Sequence, residues 1–253
     1  MKRVNKFLLG VAVLAVAALA CSAVGGGGGG APTANPISPT DVPLELPTIS
    51  APPVATEGSS QPTAGDVLFE DDFVPGRREW GTGSDADRTV EYVNETLSIK
   101  IPTENYFVWT TPNDKDYSNI HLEVTAYNHN TDSNAGFGII CNQQFIEDST
   151  YYFVITPAGE YAIVLAALAQ DDKFLTNNGE WASSDLIAKN AESYRIGADC
   201  GNGKLTLYVD GQMIDSVDDS TYTSGGFALF GLSAKEANAT EVAFDDFVIT
   251  QLP

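Results

Sequence analysis

Paired carboxylates are the first chemistry to look for. A retaining glycoside hydrolase needs two of them about 5 Å apart, conveniently on one strand face. Glu123 lies in an alternating stretch, Ile120 to Tyr127, but the position two residues on is Thr125. That strand therefore offers one carboxylate and no partner. Glu70-Asp71-Asp72 and Asp245-Asp246 cluster hard oxygen ligands suited to calcium. Solvated strand faces or turn caps are the alternative reading of those acids. His121 and His129 are the only histidines, so a His-assisted thiol and a zinc site are both disfavoured.

Sugar recognition needs aromatic platforms with amide or carboxylate hydrogen bonds beside them. Trp80, Tyr106, Trp109, Tyr127, Asn142 and Gln143 are the candidate ligand-binding residues, with Trp181 as a further aromatic. Core packing competes for each ring, because large aromatics dominate sandwich cores. Tyr127 is placed outward, on the same strand face as His121, Glu123 and Thr125.

Those side chains need elements to hold them, and the hydropathy pattern supplies strands. Leu205, Leu207 and Val209 alternate with Thr206, Tyr208 and Asp210, which puts one apolar row on one face. Asp210-Gly211 then provides the positive φ of a tight turn, with the return strand over Gln212 to Val217. Gly225-Gly226 opens another strand, Phe227 to Leu232. The same grammar predicts strands at Val67 to Phe73, Tyr106 to Thr110, Ala135 to Cys141, Tyr194 to Cys200 and Thr240 to Thr250. Thr89 to Val93 and Thr96 to Ile101 form a hairpin around Asn94-Glu95. Tyr151 to Thr156 and Tyr161 to Leu165 form another around Pro157-Ala158-Gly159. Leu165 to Gln170 is alanine-rich but uncapped, and is read as strand continuation. Trp181 to Lys189 is read as a loop or irregular edge. Short strands at regular spacing without long amphipathic helices predict an all-β, two-sheet antiparallel jelly-roll sandwich over residues 66–253.

The chain before that domain reads differently. Lys2, Arg3 and Lys6 precede the apolar run Phe7 to Ala20, the pattern of a secretory signal over residues 1–20. The sequence Ala18-Leu19-Ala20-Cys21 resembles a bacterial lipoprotein box, with Leu19 one place later than usual. The resemblance implies that Cys21 is acylated and becomes the mature amino terminus, on the outer side of a bacterial membrane. Residues 21–65 run through six glycines into a stretch rich in Pro, Thr, Ser and Ala without an aromatic, a composition that cannot bury a core. They are read as a disordered tether to the lipid surface. The whole chain has 34 acidic against 13 basic residues, a net charge of −21. Such a surface repels phosphate backbones, which excludes nucleic acid as a partner. In an exported protein Cys141 and Cys200 read as a disulfide, on neighbouring strands, with two buried free thiols as the alternative.

The order AGFGIIC, STYYFVITPAGEYAIV, SYRIGADCGNGKLTLYVDGQMIDSVDD, SGGFALF, EVAFDDFVI resembles the concanavalin A-like lectin/glucanase superfamily. Within it the chain is similar to bacterial surface domains grouped with 3-keto-disaccharide hydrolases. The superfamily's glucanases carry a Glu-x-Asp-x-x-Glu strand, which this chain lacks. The resemblance implies paired terminal strands and a structural calcium ion there, at Asp72, Asp245 and Asp246. The functions in view are a lipid-anchored, non-catalytic carbohydrate-binding or adhesion domain, an exported hydrolase of (3-keto) glycosides, and a structural or sensory envelope module with a protein partner. Fold alone does not choose among them.

Overall fold

The computed structural model describes residues 63–112, 115–130, 133–144, 149–167, 170–234 and 239–253. The proposed signal, the Cys21 acylation site and all but the end of the tether lie outside the described residues. Among the described residues there are strands, turns and loops and no helix.

Seventeen strands follow in chain order: β1 (Val67–Asp71), β2 (Gly83–Ser84), β3 (Thr89–Val93), β4 (Thr96–Ile101), β5 (Phe107–Thr110), β6 (Tyr117–Ser118), β7 (Ile120–Asn128), β8 (Gly136–Gln144), β9 (Ser149–Ile155), β10 (Glu160–Ala167), β11 (Lys173–Phe174), β12 (Ala182–Ser183), β13 (Ser193–Gly201), β14 (Lys204–Val209), β15 (Gln212–Asp218), β16 (Ser224–Leu232) and β17 (Thr240–Gln251). Sheet 1 runs β15-β14-β13-β7-β17-β4-β3-β2, with β1 also paired to β17. Sheet 2 runs β11-β10-β9-β8-β16-β5, with β12 beside β10 and β6 beside β16. The pairs are antiparallel throughout, and the two sheets enclose one core, as the alternation predicts.

The β3–β4 hairpin turns at Asn94-Glu95, both with positive φ. The β14–β15 hairpin turns at Asp210-Gly211, with φ of 51° and 76°. In β7 the apolar residues Ile120, Leu122, Val124 and Ala126 are fully buried, while His121, Glu123 and Thr125 face out. The terminal strands pair, Asp71 opposite Phe247.

Three expectations need correction. β1 stops at Asp71, because Phe73 takes a left-handed backbone (φ 52°) and buries its ring in the core. Its N–H donates to Asp71 Oδ1, so a buried carboxylate fixes the turn. The two cysteines do not sit on neighbouring strands: Cys141 is on β8 of sheet 2 and Cys200 on β13 of sheet 1. They are bonded, with a Cα separation of 6.6 Å, so the disulfide spans the core and ties one sheet to the other. Finally, Trp80 lies in the core at 3 % exposure rather than on a binding face. Its ring packs edge-on against Phe227 and Phe247, and its indole N–H donates to Asp71 Oδ2 at 2.7 Å. An aromatic set of Phe69, Phe73, Trp80, Phe227 and Phe247 thus fills one end of the sandwich, each large ring contributing about 1.5–3 kcal/mol on burial.

Candidate functional site

Sheet 2 is apolar on both faces. Ile139, Cys141, Phe153, Ile155, Ile163, Phe227 and Leu229 point into the core. Their alternates Ile140, Tyr152, Val154, Ala162, Val164, Ala228 and Phe230 form a second, buried cluster on the other side of the sheet. Phe107, Phe174, Trp181 and Leu232 are half-buried against it. The rings touch: Phe107 stacks on Phe230 with centroids 4.8 Å apart, and Tyr152 lies 5.5 Å from Phe230 and 5.6 Å from Phe107. Phe174 and Trp181 meet at 5.8 Å. Gly138 makes this packing fit, because a Cβ there would lie 1.9 Å from the Phe153 carbonyl oxygen and 3.3 Å from the Phe230 ring.

At the β5 edge lies a cleft of about 340 Å³, lined by Gly81, Thr82, Arg88, Tyr106, Phe107, Trp109, Thr110 and Thr111. Trp109 is 39 % exposed, the most exposed of the aromatics proposed from sequence. It shares the outer face with Phe107 because both alternate with the inward Val108. Arg88 is the cleft's cation, and Asp85 holds it at 3.4 Å. A flat indole, a second ring and several hydroxyl and carbonyl groups give stacking and hydrogen bonding at one place, the requirements of a sugar ring.

Of the residues proposed from sequence, Tyr106 and Trp109 come together here. Tyr127 is on the outer face of sheet 1, opposite Ala243, and does not join them. Asn142 and Gln143 are also apart from the cleft. Both are buried, at 1 % and 7 % exposure, in the irregular end of β8, and Asn142 Nδ2 donates to the Tyr222 carbonyl. Arg88, Phe107, Thr82 and Thr111 are additional lining residues. Nothing in their types marked them; the partial signal was Phe107 alternating with Trp109 in one short strand.

The outer face of sheet 1 carries a polar network. His121 Nδ1 lies 2.6 Å from Asp199 Oδ1, and His121 Nε2 lies 3.4 Å from Glu123 Oε1. Arg195 donates to Glu123 Oε2, to Thr125 Oγ1 and to the Asp246 carbonyl. The Tyr208 hydroxyl donates to Asp199 Oδ2 at 2.8 Å. Burial pushes the His121 pKa down, but hydrogen bonding and charge from Asp199, with Glu123 adding to both, outweigh it and raise the value. Glu123 and Asp199 are thus each held by a cation or a hydroxyl, an arrangement that fixes charges rather than freeing an acid or base.

The acids proposed as calcium ligands lie where β1 and β17 meet. Arg77 Nη1 donates to Asp72 Oδ2 at 2.6 Å, so a guanidinium already faces that carboxylate. The other Asp72 oxygen is shielded and has no hydrogen-bond partner. Burial raises the Asp245 pKa, and the charges of Asp246 and Asp72 raise it further. Asp246 adopts φ 50° in a bulge of β17 and offers its carbonyl to Arg195. Among the described residues no three His, Cys, Asp or Glu side chains gather closely enough to hold a metal ion.

No family model matches the chain. No curated protein sequence matches it either. Solved structures do match in fold. A carbohydrate binding module from Bacillus subtilis superposes with a TM-score of 0.53 at 11 % identity, over 69 % of this chain and 96 % of that one. A Bacillus subtilis protein of unknown function with a galectin-like fold gives 0.53 at 11 %, over 75 % and 97 %. A Bacillus licheniformis beta-glucanase gives 0.53 at 10 %, over 76 % and 100 %. At such identities the shared property is the backbone arrangement: this chain folds as a concanavalin A-like, galectin-like jelly roll.

Proposed function

We propose that the protein is a lipid-anchored, extracytoplasmic glycan-binding domain without catalytic activity. The observation that carries this reading is the cleft at the β5 edge, where Trp109 and Phe107 on the outer face of sheet 2 meet Tyr106, Thr82, Thr110 and Thr111. The shared fold with a carbohydrate binding module supports it as an analogy of architecture. The amino-terminal sequence supports the location: a basic and apolar leader, a cysteine in a lipoprotein-like box, and a Pro/Thr/Ser-rich spacer that would hold the domain clear of the lipid. The core disulfide fits an oxidising compartment.

The test is a glycan array probed with the purified protein and with Trp109→Ala. Binding to one class of glycan, lost in the variant while its melting temperature is retained, supports the reading. A blank array with the well-folded wild type, or Trp109→Ala binding as the wild type does, overturns it. Anchoring is tested separately, by fractionating cells that express the full chain and Cys21→Ser. The variant should leave the membrane fraction.

A further inference from the structure

The turn between β2 and β3 fixes one arginine at its root. Asp85 Oδ1 accepts the backbone N–H groups of Asp87 and Arg88, and the Asp85 N–H donates to the Arg88 carbonyl. Asp85 Oδ2 takes the Arg88 Nε–H at 3.4 Å. Neither Nη of Arg88 has a hydrogen-bond partner among the described residues. The other arginines of the domain are engaged elsewhere. Arg77 directs its two Nη atoms at Asp72 and Glu70. Arg195 directs its own at Glu123, Thr125 and the Asp246 carbonyl. The Arg78 guanidinium lies 4.4 Å from the centre of the Phe69 ring.

Arg88 lines the β5-edge cleft with Trp109, and among the described residues it is the one charged side chain that does. No described carboxylate or side-chain amide lines it. Thr110 donates its hydroxyl to the Gly81 carbonyl, while the Thr82 and Tyr106 hydroxyls have no partner among the described residues. The cleft is therefore rich in donors and poor in acceptors. A neutral sugar brings hydroxyls whose protons need acceptors. A carboxylate brings acceptors alone, and a planar guanidinium with both Nη groups unbonded can hold it through two parallel hydrogen bonds. The net charge of −21 limits how many carboxylates the ligand carries. A polyanion meets that repulsion along its whole length, whereas a single acidic group meets it once, beside the cation. The cleft, about 340 Å³, is at the small end of ligand pockets, which run from about 300 to 1,000 Å³.

We infer that the cleft takes one carboxylate-bearing pyranose, the acidic end residue of a glycan, with its ring on Trp109 and its carboxylate on the two Nη groups of Arg88. The inference rests on the glycan-binding reading and narrows its ligand. A uronic acid and a sialic acid both present this chemistry. The protein reads the charged end of a chain rather than its middle.

The experiment titrates the isotope-labelled protein with methyl glucuronide, a methyl sialoside or methyl glucoside and follows the Trp109 indole N–H by NMR, the signal being identified by its loss in Trp109→Phe. At least one acidic glycoside should bind at least tenfold more tightly than methyl glucoside, and which one does so separates the two sources of the carboxylate. Arg88→Gln should bring that ratio close to one. Arg88→Lys, which keeps the charge without the planar fork, should retain only part of it. Lys204→Gln, which removes the same charge outside the cleft, should keep the ratio. Melting temperatures check that each variant is folded. The corresponding polymer, polyglucuronate or polysialate, should bind more weakly per sugar than the glycoside. If methyl glucoside binds as tightly as the acidic glycosides, or Arg88→Gln keeps the preference, the acidic class is wrong while the glycan-binding reading stands. If the polymer binds more tightly per sugar, the end-residue mode is wrong. If no glycoside moves the signal but the array shows a glycan bound through Trp109, the inference falls alone. If the array is blank as well, the two fall together.

Discussion

His121 and Asp199 face each other across the β7–β13 pairing, with Nδ1 and Oδ1 2.6 Å apart on the outer side of sheet 1. The register makes them direct neighbours, and it makes Tyr208 a neighbour of the same pair through β14, where Tyr208 is opposite Gly197. Glycine at 197 leaves room between them: a Cβ there would lie 3.3 Å from the Tyr208 Cβ and 3.4 Å from the His121 ring. Three strands are thus cross-linked by one carboxylate that accepts from an imidazole and a phenol. The network is a fixed patch on the face opposite the proposed glycan site.

A pH dependence follows from that contact. The His121 pKa is raised above its ordinary value of 6.5, so the folded chain holds the proton more tightly than the unfolded chain. Its contribution to stability is complete below about pH 6.5 and is lost as pH rises through the raised folded value. His121→Gln should cost about 1.5 kcal/mol at pH 6, the low end for a hydrogen bond to a charged group because the site is partly solvated. It should cost less at pH 9. Urea denaturation of both proteins across that range reads the difference. A penalty that does not change with pH would show that the imidazole is not charged in the folded state.

The cross-sheet disulfide predicts a larger effect. Cys141 and Cys200 close a loop with a sequence separation of 59, worth about 4 kcal/mol in the chain-entropy model. Replacing both by Ala should lower the melting temperature markedly, because the bond is a covalent tie between the two layers across the core. Both cysteines are fully buried, so dithiothreitol should act on the wild type at the rate of unfolding rather than at the rate of thiol exchange. Mass-spectrometric counting of free thiols over time in native buffer and in urea distinguishes the two.

Gly138→Ala tests the close approach of β8 to β9. The added methyl meets the backbone of β9 at Phe153, which cannot turn away as a side-chain tip could. Overpacking of this kind costs about 1–3 kcal/mol, and here the upper end is expected. Thermal melting reads it. A neutral outcome would mean that β8 and β9 separate at little cost.

The strand pattern was legible wherever one face is wet. In β7 the alternation of Ile120, Leu122, Val124 and Ala126 with polar residues gave the strand and its inward face. The turns at Asn94-Glu95 and Asp210-Gly211 were legible from residues that tolerate positive φ. The candidate site was less so. In β8 and β16 nearly every residue is buried, so period two cannot tell which side is core. Trp80 and Trp109 are the same residue type in similar polar surroundings, and only the third dimension puts one beneath Phe73 and the other at the cleft. The two-residue strands β11 and β12 are too short to carry a period, and they are what bring Phe174 and Trp181 to the aromatic face.

Asp172 offers the last prediction, at the border of that face. Burial is the main cause that raises its pKa above the ordinary carboxylate value, with the Asp171 charge adding to it, while the hydrogen bond from Tyr152 opposes them. The sign is the reverse of the usual stabilising carboxylate. The folded state binds the proton more tightly than the unfolded state, so stability falls as pH rises from the unfolded value, about 3.9, through the folded one. Asp172→Asn keeps an oxygen that accepts the Tyr152 hydroxyl and removes the charge that burial penalises. It should therefore be neutral or stabilising by up to about 1 kcal/mol at pH 7, with a smaller gain at pH 4. Denaturant titrations at the two pH values give both numbers. A loss at pH 7 would mean that the charge itself is favourable there.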